Sequence, residues 1–260
     1  APLQLLPGDH HQMAAGGEEV LMAETQFTLK VFRFDPDRDT SPRYDRFTIP
    51  LREGMTVLEA LFYVVEVHAP SLSFRYSCRG AVCGSCAMYI NGSNRLACQT
   101  LIASLKAAEV EVAPLPYLPL IKDLVVEMAP FYQKMEQVRP YLVTHDPPPE
   151  KEYLQSPKQR KQLDSVTDCI WCAACYSACP IVWADPDYLG PAALVKAYRF
   201  AADSRDQGGA ERLKATDAEE GLWRCHTVFN CVEACPKEIN QTEAIEGLRR
   251  RTLKRRLGWK

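Results

Sequence analysis

The sequence predicts an α+β chain of two unlike domains, a small mixed α/β unit over residues 25–120 and an all-helical unit over residues 121–260. Three observations carry that expectation. Period-two alternation of apolar and polar residues is confined to the first 120 residues, helical periodicity takes over after them, and the eleven cysteines divide four and seven between the halves. At 260 residues the chain is long enough for two cores of ordinary size.

The elements follow in order. Residues 1–24, rich in Pro, Gly and polar side chains, read as a mobile arm. They hold no arginine and no basic segment leading into an apolar one, which argues against a secretory or mitochondrial leader. Residues 26–34 and 43–51 alternate as strands around a turn-rich 35–42. Residues 56–67 have helical spacing, with Thr56 as N-cap and with Glu59, Glu66 and His68 breaking the apolar run. Residues 86–98 read as a hairpin turning at Asn91 and Gly92, and 108–116 as the strand that closes the sheet. Beyond residue 120 strand signals vanish, and 121–138, 190–206 and 239–256 read as helices, with a proline-rich loop at 144–150.

Composition narrows the function. Apolar residues at 47% and charged residues at 25% suit a folded soluble protein. A formal net charge of -2 gives no reason to expect nucleic acid as a partner. No stretch approaches the ~18 apolar residues of a spanning helix. Eleven cysteines, an odd number in a long chain, point to metal ligation rather than a disulfide framework.

Cys78, Cys83 and Cys86, followed by a remote Cys98, have the C-x4-C-x2-C…C spacing of a plant-type [2Fe–2S] site. Gly80 and Gly84 let the backbone approach the sulfurs, and the hairpin carries Cys98 back to Cys86. A four-thiolate zinc site needs the same residue type, although zinc ribbons use two separate knuckles and here three ligands crowd one loop.

Residues 169–180 read CIWCAACYSACP, the C-x2-C-x2-C-x3-C-P run of a bacterial ferredoxin, whose fourth cysteine serves a second cluster. The partner run is CHTVFNCVEACP at 225–236, with the same steps except that Val228 stands where the second cysteine belongs. Crossing the runs gives two ligand sets. Cys169, Cys172, Cys175 and Cys235 make a complete set for [4Fe–4S]. Cys179, Cys225 and Cys231 leave three thiolates, which suit [3Fe–4S]; a [4Fe–4S] cluster with water or another residue as fourth ligand is the alternative. Clusters of three kinds imply three potentials, and so an electron wire. No G-x-G-x-x-G is present for a flavin or nicotinamide, so donor and acceptor lie mostly in partner chains.

These motifs, with YLGPAALVKAYRFAADSRD (188–206) and RCHTVFNCVEACPK (224–237), closely resemble the iron–sulfur subunits of succinate dehydrogenase and fumarate reductase, respiratory complex II. The resemblance runs over about residues 26–250. It implies a β-grasp, plant-ferredoxin-like N-terminal domain and a helical, bacterial-ferredoxin-like C-terminal one. It implies electrons from a flavoprotein subunit with FAD that oxidises succinate, passed through [2Fe–2S], [4Fe–4S] and [3Fe–4S] to a quinone at one or more membrane anchor subunits. The quinone-binding positions that it carries over are Pro180, Trp183, His226 and Val228. Many ubiquinone-using members have a second tryptophan where Ala184 stands, so menaquinone as well as ubiquinone fits. The basic segment 248–260 suits anionic lipid head groups or a helix C-terminus. The expected location is peripheral, on the cytoplasmic face of a prokaryotic inner membrane. The alternatives are the same subunit in a quinol:fumarate reductase, a free ferredoxin-like carrier, and a structural zinc protein.

Overall fold

The computed structural model describes residues 25–259; the arm expected over 1–24 lies outside the described residues. The first domain is built on a five-stranded mixed sheet of β1 (Gln26–Arg33), β2 (Arg43–Pro50), β3 (Ala87–Ile90), β4 (Ser93–Leu96) and β5 (Glu109–Ala113), in the order β2-β1-β5-β3-β4. Alternation along β1 buries Phe27, Leu29 and Val31 on one face. Helix α1 (Val57–Tyr63) packs Val57, Leu58, Ala60 and Leu61 into the same core. Its N-terminus is fixed by a reciprocal cap: the Glu59 backbone N–H donates to Thr56 Oγ1 at 3.2 Å, and the Thr56 N–H to Glu59 Oε2 at 2.7 Å. A sheet grasping one helix in this way is the β-grasp arrangement.

The strand expected over 108–116 is present as β5 and joins the sheet in its middle, parallel to β1 and antiparallel to β3, with Val110 and Val112 fully buried. The long connection carrying α1 supplies the crossover that a parallel pair requires.

The helix expected over 121–138 begins only at Ala129. Before it, β6 (Leu120–Lys122) and β7 (Val125–Val126) form a two-stranded ribbon. The cause is Asp123, whose backbone turns through a φ of 47° and whose carboxylate is buried. That carboxylate accepts from Arg33 Nε (3.1 Å), Phe34 N–H (3.0 Å) and Ser73 N–H (2.9 Å), so the ribbon is fastened to the first domain.

The remainder is helical: α2 (Ala129–Glu136), α3 (Pro157–Lys161), α4 (Asp164–Thr167), α5 (Ala174–Ser177), α6 (Pro180–Ala184), α7 (Gly190–Ala201), α8 (Gly209–Thr216), α9 (Asn230–Glu233) and α10 (Gln241–Arg256). Helix α7 is the axis of this domain, buried from Gly190 to Ala197. Helix α10 lies close against it at Gly247, where an added Cβ would sit 2.4 Å from the Tyr198 ring. The expected 190–206 helix stops at Ala201, and the turn after it is held by the buried Asp203 carboxylate, which accepts from the Arg205 backbone N–H (3.1 Å) and pairs with Arg199 (2.6 Å) and Arg205 (2.8 Å). Among the described residues, no helix is long and apolar enough to cross a membrane.

Candidate iron–sulfur sites

The loop from Cys78 to Cys86 wraps its backbone around sulfur. Cys78 Sγ accepts N–H bonds from Gly80 (3.4 Å), Val82 (3.4 Å) and Cys83 (3.3 Å), and the Cys78 N–H donates to Cys83 Sγ at 3.5 Å. Arg79 and Ala81, at φ 56° and 57°, are in the left-handed region that aims these amides inward. The three amides, that of Gly80 first, pull the Cys78 thiol down to about 6, so the loop is built to hold a thiolate. Cys98 arrives by the β3–β4 hairpin, whose turn has Asn91 at φ 44° and Gly92 at φ 81°, and Ala97 N–H closes the far end on the Cys86 carbonyl at 2.9 Å. Burial pushes the Cys86 thiol up to about 12; a sulfur so placed becomes a thiolate only beside strong positive charge such as iron.

In the helical domain, Cys169, Cys172, Cys175 and Cys235 line one cavity, together with Ile170, Ala192, Val195 and Ile239. Burial raises the thiols of Cys169 and Cys175, and takes Cys172 to about 12. An apolar cavity ringed by four sulfurs fits a [4Fe–4S] cluster. Cys179, Cys225 and Cys231 lie together beside it, Cys225 near enough to oppose the ionisation of Cys179 and Cys231. Burial raises the Cys179 thiol, an effect that the backbone N–H groups of Val182 and Ile181 at the start of α6 oppose, and takes the Cys231 thiol to about 12.

The two cysteine runs share one backbone. Two and four residues after the first cysteine, the chain turns left-handed: Trp171 and Ala173 (φ 60° and 61°) in one run, Thr227 and Phe229 (φ 58° and 64°) in the other. A short helix follows in each case, α5 or α9. Val228 therefore occupies the place that Cys172 holds in the first run, and it is exposed.

The first and second sites touch. At Gly84 (φ +74°) an added Cβ would lie 2.9 Å from Cys172 Cβ and 2.9 Å from the Ile170 carbonyl, so the plant-type loop rests directly on the first ferredoxin run. Asn94 of β4 donates to the Ala174 carbonyl at 2.9 Å and pins the hairpin to the same run.

His226, Val228 and Trp183 are exposed, and Pro180 is half-buried next to Cys179. The Trp183 indole N–H is already donated to the Ser177 carbonyl at 2.8 Å, and its ring stacks on Tyr117 at 3.9 Å. Two residues escaped the sequence reading. Tyr188 is buried beside Cys225, and its burial, then the nearby cysteines, push its ionisation well up. Lys196, also buried, donates to the Cys169 carbonyl at 3.2 Å. Both look like ordinary members of an amphipathic helix region in the sequence.

A β-grasp loop and a paired ferredoxin run, in contact within one chain, define an iron–sulfur electron-transfer protein. Comparison with known proteins agrees. Residues 28–133 match the 2Fe-2S iron-sulfur cluster binding domain and residues 165–239 the 4Fe-4S dicluster domain, which sets the zinc reading aside. The succinate dehydrogenase iron–sulfur subunit of Paracoccus denitrificans is 44% identical over 223 residues, covering 85% of this chain and 86% of the relative. A mitochondrial succinate dehydrogenase [ubiquinone] iron–sulfur subunit 1 from Oryza sativa subsp. japonica is 44% identical over 228 residues, covering 86% and 81%. A chain of the Mycobacterium smegmatis Sdh1 complex in the apo form superposes with a TM-score of 0.78 at 26% identity, over 90% of this chain and 98% of that one. The chain belongs to the family of succinate dehydrogenase iron–sulfur subunits. Its function is electron transfer within that oxidoreductase, and the fumarate reductase alternative is not favoured.

Proposed function

We propose that this chain takes electrons from a succinate-oxidising FAD subunit and delivers them to a quinone at a membrane anchor. Three cofactors would do this: [2Fe–2S] on Cys78, Cys83, Cys86 and Cys98, [4Fe–4S] on Cys169, Cys172, Cys175 and Cys235, and [3Fe–4S] on Cys179, Cys225 and Cys231. Bound clusters supply one-electron carriers whose potentials depend on type, charge and hydrogen bonding. The chain's own residues hold them in order. Gly84 brings the first loop against Cys172, and crossed ligation by Cys179 and Cys235 binds the second site to the third.

The observation that carries the reading is the common backbone of the two cysteine runs, with Val228 in the place of Cys172. Valine has no lone pair, so the third site is left with three protein ligands. Val228, Phe229 and Trp183 are each exposed large apolar side chains in or next to the two cysteine runs, in keeping with a quinone and anchor subunits there. Pro180, His226 and Val228 would border the quinone, with His226 free to donate a proton or hydrogen bond. Trp183 would contribute its ring alone, since its N–H is taken. Ala184, exposed beside it, leaves room for menaquinone as well as ubiquinone. Within the basic C-terminal helix, Arg255 and Arg256 pair with Asp217 and Arg251 lies over the Tyr198 ring, leaving the exposed Arg250 and Lys254 for lipid or an anchor loop. The location this supports is peripheral, on the cytoplasmic face of an inner membrane.

The test is purification of the native complex from membranes through a tag on this chain. The reading predicts co-elution with a flavoprotein and succinate-driven quinone reduction. His226→Gln should slow quinone reduction while succinate oxidation by an artificial dye acceptor continues. A chain that elutes alone, or a variant that loses both activities equally, would overturn the assignment of partners or of His226.

A further inference from the structure

Lys196 lies on α7 with only 7% of its surface exposed. Burying an ammonium is costly unless negative charge meets it. Among the described residues, however, Lys196 enters no ion pair. The acids in the turn after its helix are already taken: Asp203 is bound to Arg199 and Arg205, and Asp206 to Arg212. Its ammonium donates to the Cys169 carbonyl at 3.2 Å and lies 5.7 Å from the centre of the Trp171 ring. Cys169 and Trp171 both line the four-cysteine cavity, as do Ala192 and Val195 of the same helix. The negative charge that acts on its ammonium is that of the Cys169 thiolate and whatever the four sulfurs hold; the other lysine at the cavity, Lys237, is only half-buried.

We propose that Lys196 is the buried counter-charge of the four-cysteine cluster and holds its reduction potential up. This rests on the reading that Cys169, Cys172, Cys175 and Cys235 bind [4Fe–4S]. Such a cluster is anionic when oxidised and gains one further negative charge when a single electron is added. A fixed cation in a low-dielectric surround stabilises the reduced form more than the oxidised form, because the attraction grows with the charge it faces. The Cys169 carbonyl and the Trp171 face aim the ammonium; they do not neutralise it. Lys196 is thus a tuning residue, not a ligand, and it sits where the electron must pause between the first site and the third.

The experiment is a redox titration of the purified holo-complex followed by low-temperature EPR. Lys196→Gln keeps a donor for the Cys169 carbonyl and removes the charge. Lys196→Met, similar in length and suited to an apolar cavity, covers the case in which the Gln variant fails to assemble. Lys196→Arg keeps the charge. The neutral variants should shift the reduction equilibrium of the [4Fe–4S] signal about tenfold toward the oxidised form, about 59 mV for one electron. The [2Fe–2S] signal should stay in place, and Lys196→Arg should stay near the parent. A neutral variant with an intact signal and an unmoved potential overturns the proposal. So does loss of the cluster in all three variants, Arg included, which would mark a packing role. Absence of any [4Fe–4S] signal in the parent complex would instead sink the ligand assignment on which the proposal rests.

Discussion

The runs at 169–180 and 225–236 have the same backbone and opposite surroundings. The first is enclosed: Gly84 and Asn94 press the β-grasp domain against it, and Cys172 sits at that contact. The second faces outward, with His226, Val228 and Phe229 exposed. In the proposed path one frame would serve two ends, and the side chain at its fourth position would decide which end. A cysteine there would complete a four-thiolate site next to the β-grasp domain. A valine there would leave a three-thiolate site on the exposed side.

The sharpest way to break the comparison is to erase the difference. Val228→Cys gives the second run a full ligand set, so the [3Fe–4S] signal of the oxidised complex should disappear, and quinone reduction should fall roughly tenfold or more as the potential drops. EPR with parallel quinone and dye assays reads both effects. Cys172→Val makes the converse change: the reduced [4Fe–4S] signal should vanish and a second oxidised-state [3Fe–4S] signal appear.

A smaller effect is expected where the two domains meet. Gly84→Ala forces a Cβ onto a φ of +74° and to 2.9 Å from Cys172 Cβ. Backbone strain and the clash together should cost about 2–3 kcal/mol, lowering Tm by roughly 5–10 °C and slowing reduction of the second cluster by the first. Calorimetry and rapid-freeze EPR separate the two consequences. The smallest effect is expected at Tyr188→Phe, which removes the phenol from Cys225 and keeps the ring. The [3Fe–4S] equilibrium should move by less than tenfold, under about 59 mV, with stability nearly unchanged.

Much of this asymmetry was legible in the sequence. The cysteine steps, the valine that interrupts them and the hairpin returning Cys98 to its loop all appear in one dimension, because ligand spacing and turn chemistry are local. The Thr56–Glu59 cap is legible for the same reason. What was not legible depends on contacts far apart in sequence. Asp123 binds Arg33 and Ser73, which turned an expected helix into a ribbon. Strand β5 finds its place between β1 and β3 only once the α1 crossover exists. The left-handed positions at Trp171, Ala173, Thr227 and Phe229 carry no glycine to announce them. Tyr188 and Lys196 read as ordinary residues at the start and middle of a helix until the fold sets them beside sulfur.

The count of four, four and three thiolates is the centre of this account, and low-temperature EPR of the intact complex tests it most directly. A [3Fe–4S] signal is expected in the oxidised sample, a [2Fe–2S] signal on adding succinate, and a [4Fe–4S] signal on stronger reduction. An oxidised sample without a signal, followed by two [4Fe–4S] signals on reduction, would contradict it and remove the role given to Val228.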